Sequence, residues 1–175
     1  MSLLWRNVFG QKTGDDSLAG FLASVPLFAD LKPRDVRQLA ALVHPRDYDD
    51  KETVFSEGDP GSGLYLIRNG RVKVFTRDSD GREHEIAVLE AGDFFGETTL
   101  VSPAVRTASV RTLEKTQLVG FFRADLLDCM EKNPRLALKL LFGLTRAMSE
   151  RLHLADRELK RLHHALHDLQ AEEQD

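Results

Sequence analysis

Between about residues 44 and 122 the apolar residues recur with a period of two, and this alternation restricts the fold more than any other feature of the chain. TVFSEG (53–58), GLYLIRNG (63–70), RVKVFTRD (71–78), EHEIAVLE (83–90), RTASVRT (106–112) and TQLVGFF (116–122) read as short strands separated by Gly- and Asp-rich joints. Strands at this spacing without intervening helices indicate an antiparallel barrel or jelly roll. Asn69-Gly70 and Asp80-Gly81 are predicted hairpin turns, because both dipeptides tolerate positive φ.

Helical periodicity flanks this region on both sides. Residues 15–43 carry Asp15, Asp16 and Ser17 as candidate caps before LAGFLASV, and Pro33 at a first-turn position before RDVRQLAALV. After residue 123, ADLLDCMEKN forms one helix, broken at Asn133-Pro134, and a long second helix follows. Within it Leu138, Leu141, Thr145, Met148, Leu152, Ala155, Leu159, Leu162, Leu166 and Leu169 follow alternating steps of three and four, a sustained heptad seam. Beyond about residue 155 no other segment remains to cover that seam, so a parallel homodimer through residues 138–169 is expected. With Leu152, Leu159 and Leu166 at a positions, Arg151 would face Asp156 across the pair, and Glu158 would face His163. The expected division is an extension over 1–14, a barrel domain over 15–132 and a dimerisation helix over 133–175.

Composition narrows the function classes. Hydrophobic content of 42% and charged content of 30% are those of a soluble globular chain, and 175 residues suffice for a real core. A net charge of -4 argues against a nucleic-acid surface led by Lys and Arg. Cys129 is the only cysteine, which excludes an internal disulfide, a CxxC pair and a cysteine-ligated iron–sulfur cluster, and suits a reducing cytoplasm. No apolar run approaches the roughly 18 residues of a membrane span. The N-terminal MSLLWRNVFGQKTG is too short in apolar residues for a secretory signal. His163 and His167 stand at i, i+4 without a third ligand, so no metal site is expected; His44 and His84 receive no role. No nucleophile–base pair stands at a recognisable spacing, so the chain is not expected to be an enzyme.

The most informative segment is EAGDFFGETTLVSPAVRTASVRT, residues 90–112. A short helical turn beginning at Glu97 would aim free backbone N–H groups at an anion. Arg106, ten residues after Gly96, could add a charge-assisted contact to phosphate oxygens, and the Thr107 hydroxyl a further donor. Glu97 could accept from a ribose hydroxyl. A phosphate joined to a ribose within one compact ring would satisfy all of these together. The plainer alternative is a structural ion pair between Arg106 and Glu97.

These residues resemble the phosphate-binding cassette of the cyclic-nucleotide-binding domain family, roughly F-G-E-x-A-L, a short gap, then P-R-A/T-A-T/S-V. Phe95, Gly96, Glu97, Leu100, Arg106, Thr107, Ala108, Ser109 and Val110 match. Val105 stands in place of the common proline and Thr99 in place of alanine; both are expected to affect mainly loop shape. Upstream, FLASVPLFADLKPRDVRQLA and VFSEGDPGSGLYLIRNGRVKVF resemble the family's helical entry and its strand–turn–strand signature. Asn133-Pro134 opens a helix where catabolite-activator-type regulators begin their dimer helix, so roughly residues 20–150 are covered.

The resemblance implies a mostly β double-stranded β-helix (jelly-roll) barrel with flanking helices and a long C-terminal dimerisation helix. It implies a non-enzymatic sensor of cAMP, or of cGMP, without a further cofactor. Glu97 would take the ribose 2′-hydroxyl, Arg106 the cyclic phosphate and Gly96 a ribose contact through its N–H. Thr107 and Ala108 would add phosphate contacts, and Thr98 belongs to the same ligand-binding set. The purine is expected near the stretch from Met148 to Asp156, at Arg151, Leu152 and Ala155. No residues remain after Leu169 for a helix-turn-helix domain, so direct DNA binding is not expected, and an unidentified downstream protein would read the signal. The alternatives are a ligand-free interaction scaffold on the same fold, or a cyclic dinucleotide receptor.

Overall fold

The structure, a computed structural model, describes residues 17–172, with side chains through His167. The 1–14 extension, the candidate caps Asp15 and Asp16, and the side chain of Leu169 lie outside those described. Helix α1 (Leu18–Ser24) starts at Ser17, whose hydroxyl accepts from the Gly20 N–H at 3.0 Å. This cap satisfies one of the donors that a helix start leaves open. A single 3-10 turn, Pro26–Phe28, leads to α2 (Pro33–Ala40), where Pro33 occupies the first turn as predicted.

The β region holds β1 (His44–Tyr48), β2 (Thr53–Phe55), β3 (Pro60–Gly61), β4 (Gly63–Asn69), β5 (Arg71–Arg77), β6 (Glu83–Glu90), β7 (Phe94–Phe95), β8 (Ala104–Val105), β9 (Ser109–Thr112) and β10 (Thr116–Phe122). They form two four-stranded antiparallel sheets, ordered β1-β10-β4-β7 and β2-β9-β5-β6, with β3 and β8 paired as a small ribbon. Asp80-Gly81 lies in the β5–β6 hairpin connection, as expected. Asn69-Gly70 does not make a hairpin: β4 and β5 belong to different sheets, and the turn is a corner that carries the chain from one to the other. The dipeptide signals positive φ, 88° at Gly70, and that conformation serves a corner as well as a hairpin.

Strand β4 shows why its apolar run is nearly continuous. Leu64 and Leu66 belong to the core beneath the helices, whereas Ile67 and the half-buried Tyr65 belong to the core between the sheets. Both faces are covered, so alternation gives way to an apolar run. Val72, Val74, Leu89, Val110 and Leu118 complete the inter-sheet core; Leu22, Val25, Leu39 and Phe121 face the helices.

Helix α4 (Arg123–Lys132) ends at Asn133, whose side-chain oxygen accepts from the Leu136 N–H at 3.3 Å and whose amide donates to Gln38 at 3.0 Å. Helix α5 (Pro134–Glu172) then runs for 39 residues. Leu136, Ala137, Leu140 and Leu144 bury its first turns, while Leu138, Phe142, Leu152, Leu159, Leu162 and Leu166 are exposed. No helix among the described residues is long and apolar enough to cross a membrane.

Gly143 is where α5 crosses the 3-10 turn, and a Cβ there would overlap the Leu27 carbonyl oxygen. Arg146 clamps the same turn, donating to the Pro26 carbonyl at 3.0 Å and to Asp30 at 2.7 Å. Gly143→Ala is therefore expected to destabilise despite alanine's intrinsic helix advantage of about 1 kcal/mol. Overpacking against backbone costs about 1–3 kcal/mol. Net of that helix gain, thermal denaturation should show a Tm lower by up to about 8 °C for a chain of this size.

Candidate functional site

The site is assembled around the turn after β7 and the residue after β8. Arg106 follows β8 directly, and its backbone is fixed on both sides. Its N–H donates to the Asp59 carbonyl at 2.8 Å, and its carbonyl accepts from the Gly58 N–H at 2.9 Å. The side chain turns inward and is only 5% exposed. Arg106 Nη1 donates to the carbonyls of Gly63 at 2.8 Å and Gly96 at 3.1 Å, and to Thr99 Oγ1 at 2.9 Å. Its guanidinium carbon lies 4.1 Å from the Phe55 ring centroid, within cation–π range. Burial pushes the Arg106 pKa below its ordinary value, opposed by Tyr65, Glu97 and Asp59. A guanidinium stays charged through such a shift. Arg106 Nε is buried and makes no hydrogen bond among the described residues.

Glu97, also 5% exposed, stands at the start of the short helix α3 (Thr98–Val101). Its Oε1 lies 2.8 Å from Arg151 Nη1, and its Oε2 is buried without a partner among the described residues. Glu97 is thus paired with the long helix, not with Arg106. Arg151 also donates to the Phe94 carbonyl at 2.7 Å and stacks its guanidinium 3.9 Å from the Phe94 ring centroid. Gly96 makes this approach feasible. Its φ is 78°, and a Cβ there would stand 2.5 Å from Arg106 Nη1 and 3.1 Å from the Gly63 oxygen.

One cleft of about 380 Å³, open to solvent, brings together Gly96, Glu97, Thr98, Arg106, Thr107 and Ala108. Thr98 and Thr107 are exposed at its rim, and Ala108 is half-buried. Phe55, Val74, Phe95 and Val110 supply an apolar wall. Beside the apolar surface, two residues that line the cleft thus each keep a buried polar atom without a partner among the described residues, a cationic donor on Arg106 and a carboxylate acceptor on Glu97. Leaving such groups buried and unpaired is costly, so a ligand carrying both an anion and a hydroxyl is the natural complement.

The residues expected to meet a purine separate on the helix. Arg151 reaches the barrel, but its guanidinium is committed to Glu97 and Phe94. Leu152 is 70% exposed and Ala155 is exposed, both turned from the cleft; consecutive residues lie about 100° apart around a helix. The barrel-facing stripe is instead Leu140, Leu144, Ala147, Arg151 and Leu154, each buried or half-buried. Leu154 could have been found by stepping three residues on from Arg151 rather than following the stronger seam. Arg151 does not face outward toward an Asp156 partner position, because the barrel holds it; Asp156 pairs with Lys160 and Glu158 with Arg161.

The profile of the cyclic nucleotide-binding domain matches residues 45–133, which contain the whole cassette. A CRP-like cAMP-activated global transcriptional regulator of Mycobacterium tuberculosis is 33% identical over 127 residues, covering 73% of this chain and 57% of the regulator. A cyclic AMP receptor protein of Thermus thermophilus is 34% identical over 134 residues, covering 77% and 60%. The chain thus spans under two thirds of the length of these relatives. Among solved structures, the Thermus thermophilus catabolite activator protein superposes with a TM-score of 0.70 at 34% identity, over 78% of this chain and 62% of that one. A cyclic nucleotide-binding domain from Methylobacillus flagellatus gives 0.72 at 26% identity, over 82% of each chain. With cassette, barrel and long helix all present in order, this chain belongs to the cyclic nucleotide-binding domain family.

Proposed function

We propose that the chain binds a cyclic purine mononucleotide, cAMP ahead of cGMP, and acts as a non-enzymatic sensor that signals through α5. The observation that carries this reading is the pair of buried, unpartnered atoms in one cleft, Arg106 Nε and Glu97 Oε2. A cyclic phosphate accepts from the first, and a ribose 2′-hydroxyl donates to the second. Neither a simple anion nor a neutral sugar satisfies both. The preference for cAMP rests on the ligand named for the relatives; Thr107 is compatible with either purine.

Residues 133–175 form the output element in this reading. Among the described residues seven large apolar side chains lie exposed along α5, six of them (Leu138, Met148, Leu152, Leu159, Leu162 and Leu166) on the heptad seam, and a parallel homodimer would cover those six. Arg151 joins the ligand's ribose acceptor to this helix, so occupancy of Glu97 and the pose of α5 are mechanically connected. A signal requires that the nucleotide bind two poses of the helix with different affinity.

Calorimetric titration into protein freed of co-purified nucleotide tests the reading. Micromolar cAMP affinity, about -8 kcal/mol, is expected. Binding of a cyclic dinucleotide in preference to cAMP would reassign the ligand. Absence of heat from cAMP, cGMP and cyclic dinucleotides would sink the sensor reading in favour of a scaffold.

A further inference from the structure

The family pattern has a small apolar residue two positions after the cassette glutamate, where this chain has Thr99. In the structure this threonine is not a loop-shaping substitution. It is fully buried, and its hydroxyl accepts from Arg106 Nη1 at 2.9 Å while donating toward the Gly96 carbonyl at 3.1 Å. Its methyl group packs against Gly61 on β3, where there is no room for a Cβ. β-Branching makes χ1 stiff, so the methyl contact fixes the direction of the hydroxyl. Thr99 thereby ties together β3, the Gly96 turn and the guanidinium.

We propose that Thr99 is a positioning residue for Arg106, holding the guanidinium in its ligand-ready pose before any nucleotide arrives. The consequence follows from donor bookkeeping. Nη1 carries two protons, and the oxygens of Gly63, Gly96 and Thr99 surround it. With Nη1 saturated and the flat face held on Phe55, the Nε edge is left to serve an anion side-on. A guanidinium already fixed loses less conformational freedom on binding, which raises affinity without a new ligand contact. The ligand part of this inference rests on Arg106 being the phosphate residue; the positioning part does not.

Thr99→Val keeps the shape and removes the hydroxyl, and Thr99→Ser keeps the hydroxyl. In nucleotide-free protein, side-chain 15N NMR should show separate Nη1 and Nη2 resonances for Arg106 in the parent and in Thr99→Ser. In Thr99→Val Nη1 keeps only the two carbonyls, so exchange between its resonance and that of Nη2 should quicken. For cAMP, Thr99→Val should weaken binding about tenfold, the scale of one hydrogen bond to a charged group, and Thr99→Ser by less than about threefold. In an Arg106→Lys background Thr99→Val should cost nothing further, because the hydroxyl acts through the guanidinium. Unchanged exchange between the two resonances and unchanged affinity in Thr99→Val would overturn the proposal while leaving the nucleotide reading intact. Failure of the parent to bind either cAMP or cGMP would overturn that reading, and the ligand-free resonances would still decide whether Thr99 positions Arg106.

Discussion

Replacing Gly96 by alanine is expected to lower cAMP affinity by at least about a hundredfold while leaving the barrel folded. The added Cβ would stand 2.5 Å from Arg106 Nη1, and the backbone at φ 78° is one that a residue with a Cβ adopts at a cost of about 1–2 kcal/mol. The atom in the way is the tip of a flexible side chain, so the guanidinium moves and the turn survives. Its displacement breaks the bonds to Gly63, Gly96 and Thr99 together and removes the Nε edge from the cleft. Arg106→Ala should reproduce the loss. The double substitution should be no worse than Arg106→Ala alone, since both act through one group. Calorimetry of the three variants, with melting curves to confirm folding, checks this. Retention of parental affinity in Gly96→Ala would show that Arg106 is not the anion ligand.

The cassette was legible in sequence because its chemistry is local: Gly96, Glu97 and the Arg106 to Ala108 run sit on one turn and one strand entry, at a fixed spacing. The barrel was legible for a similar reason, since a period of two survives wherever a strand has one wet face. What sequence reading lost lies in pairings between distant segments. Asn69-Gly70 announces a turn but not which sheets it joins, and only the long-range pairing of β4 with β10 and of β5 with β9 makes it a corner. Strand β1, HPRDY, has one buried residue in five and no apolar alternation to betray it; its pairing with β10 creates it. Thr99 passed for loop shape because its partners, at Gly63 and Arg106, are 36 and 7 residues away. On α5 the leucine seam masked a second, partly polar stripe of the same period, and with it the destination of Arg151. A helix that serves two surfaces shows the stronger periodicity first.

That second stripe sets the largest expected loss of stability. Arg151→Ala would leave Glu97 buried with neither carboxylate oxygen paired. Breaking a buried ion pair from one side costs about 3–5 kcal/mol, and the partial exposure of Arg151 argues for the lower end, a Tm drop of about 6–12 °C. Glu97→Gln in the same chain should recover much of that loss, because it removes the stranded charge rather than restoring a contact. The functional consequence is separable from the stability one. In the parent protein, saturating cAMP should slow amide exchange both in the cassette and in α5 near residues 150–158, since the proposed ribose acceptor, Glu97, is also the carboxylate that pairs with the helix. In Arg151→Ala with Glu97 retained, nucleotide should still protect the cassette, while α5 no longer responds. Equal responses of α5 with and without Arg151 would mean that the helix senses the ligand by another route, such as the Gly143 crossing. Arg151→Lys discriminates further: it keeps the charge on Glu97 but loses both the planar stack on Phe94 and the second donor to its carbonyl. Coupling restored by lysine would assign the link to charge alone; coupling still lost would assign it to the guanidinium's hold on β7.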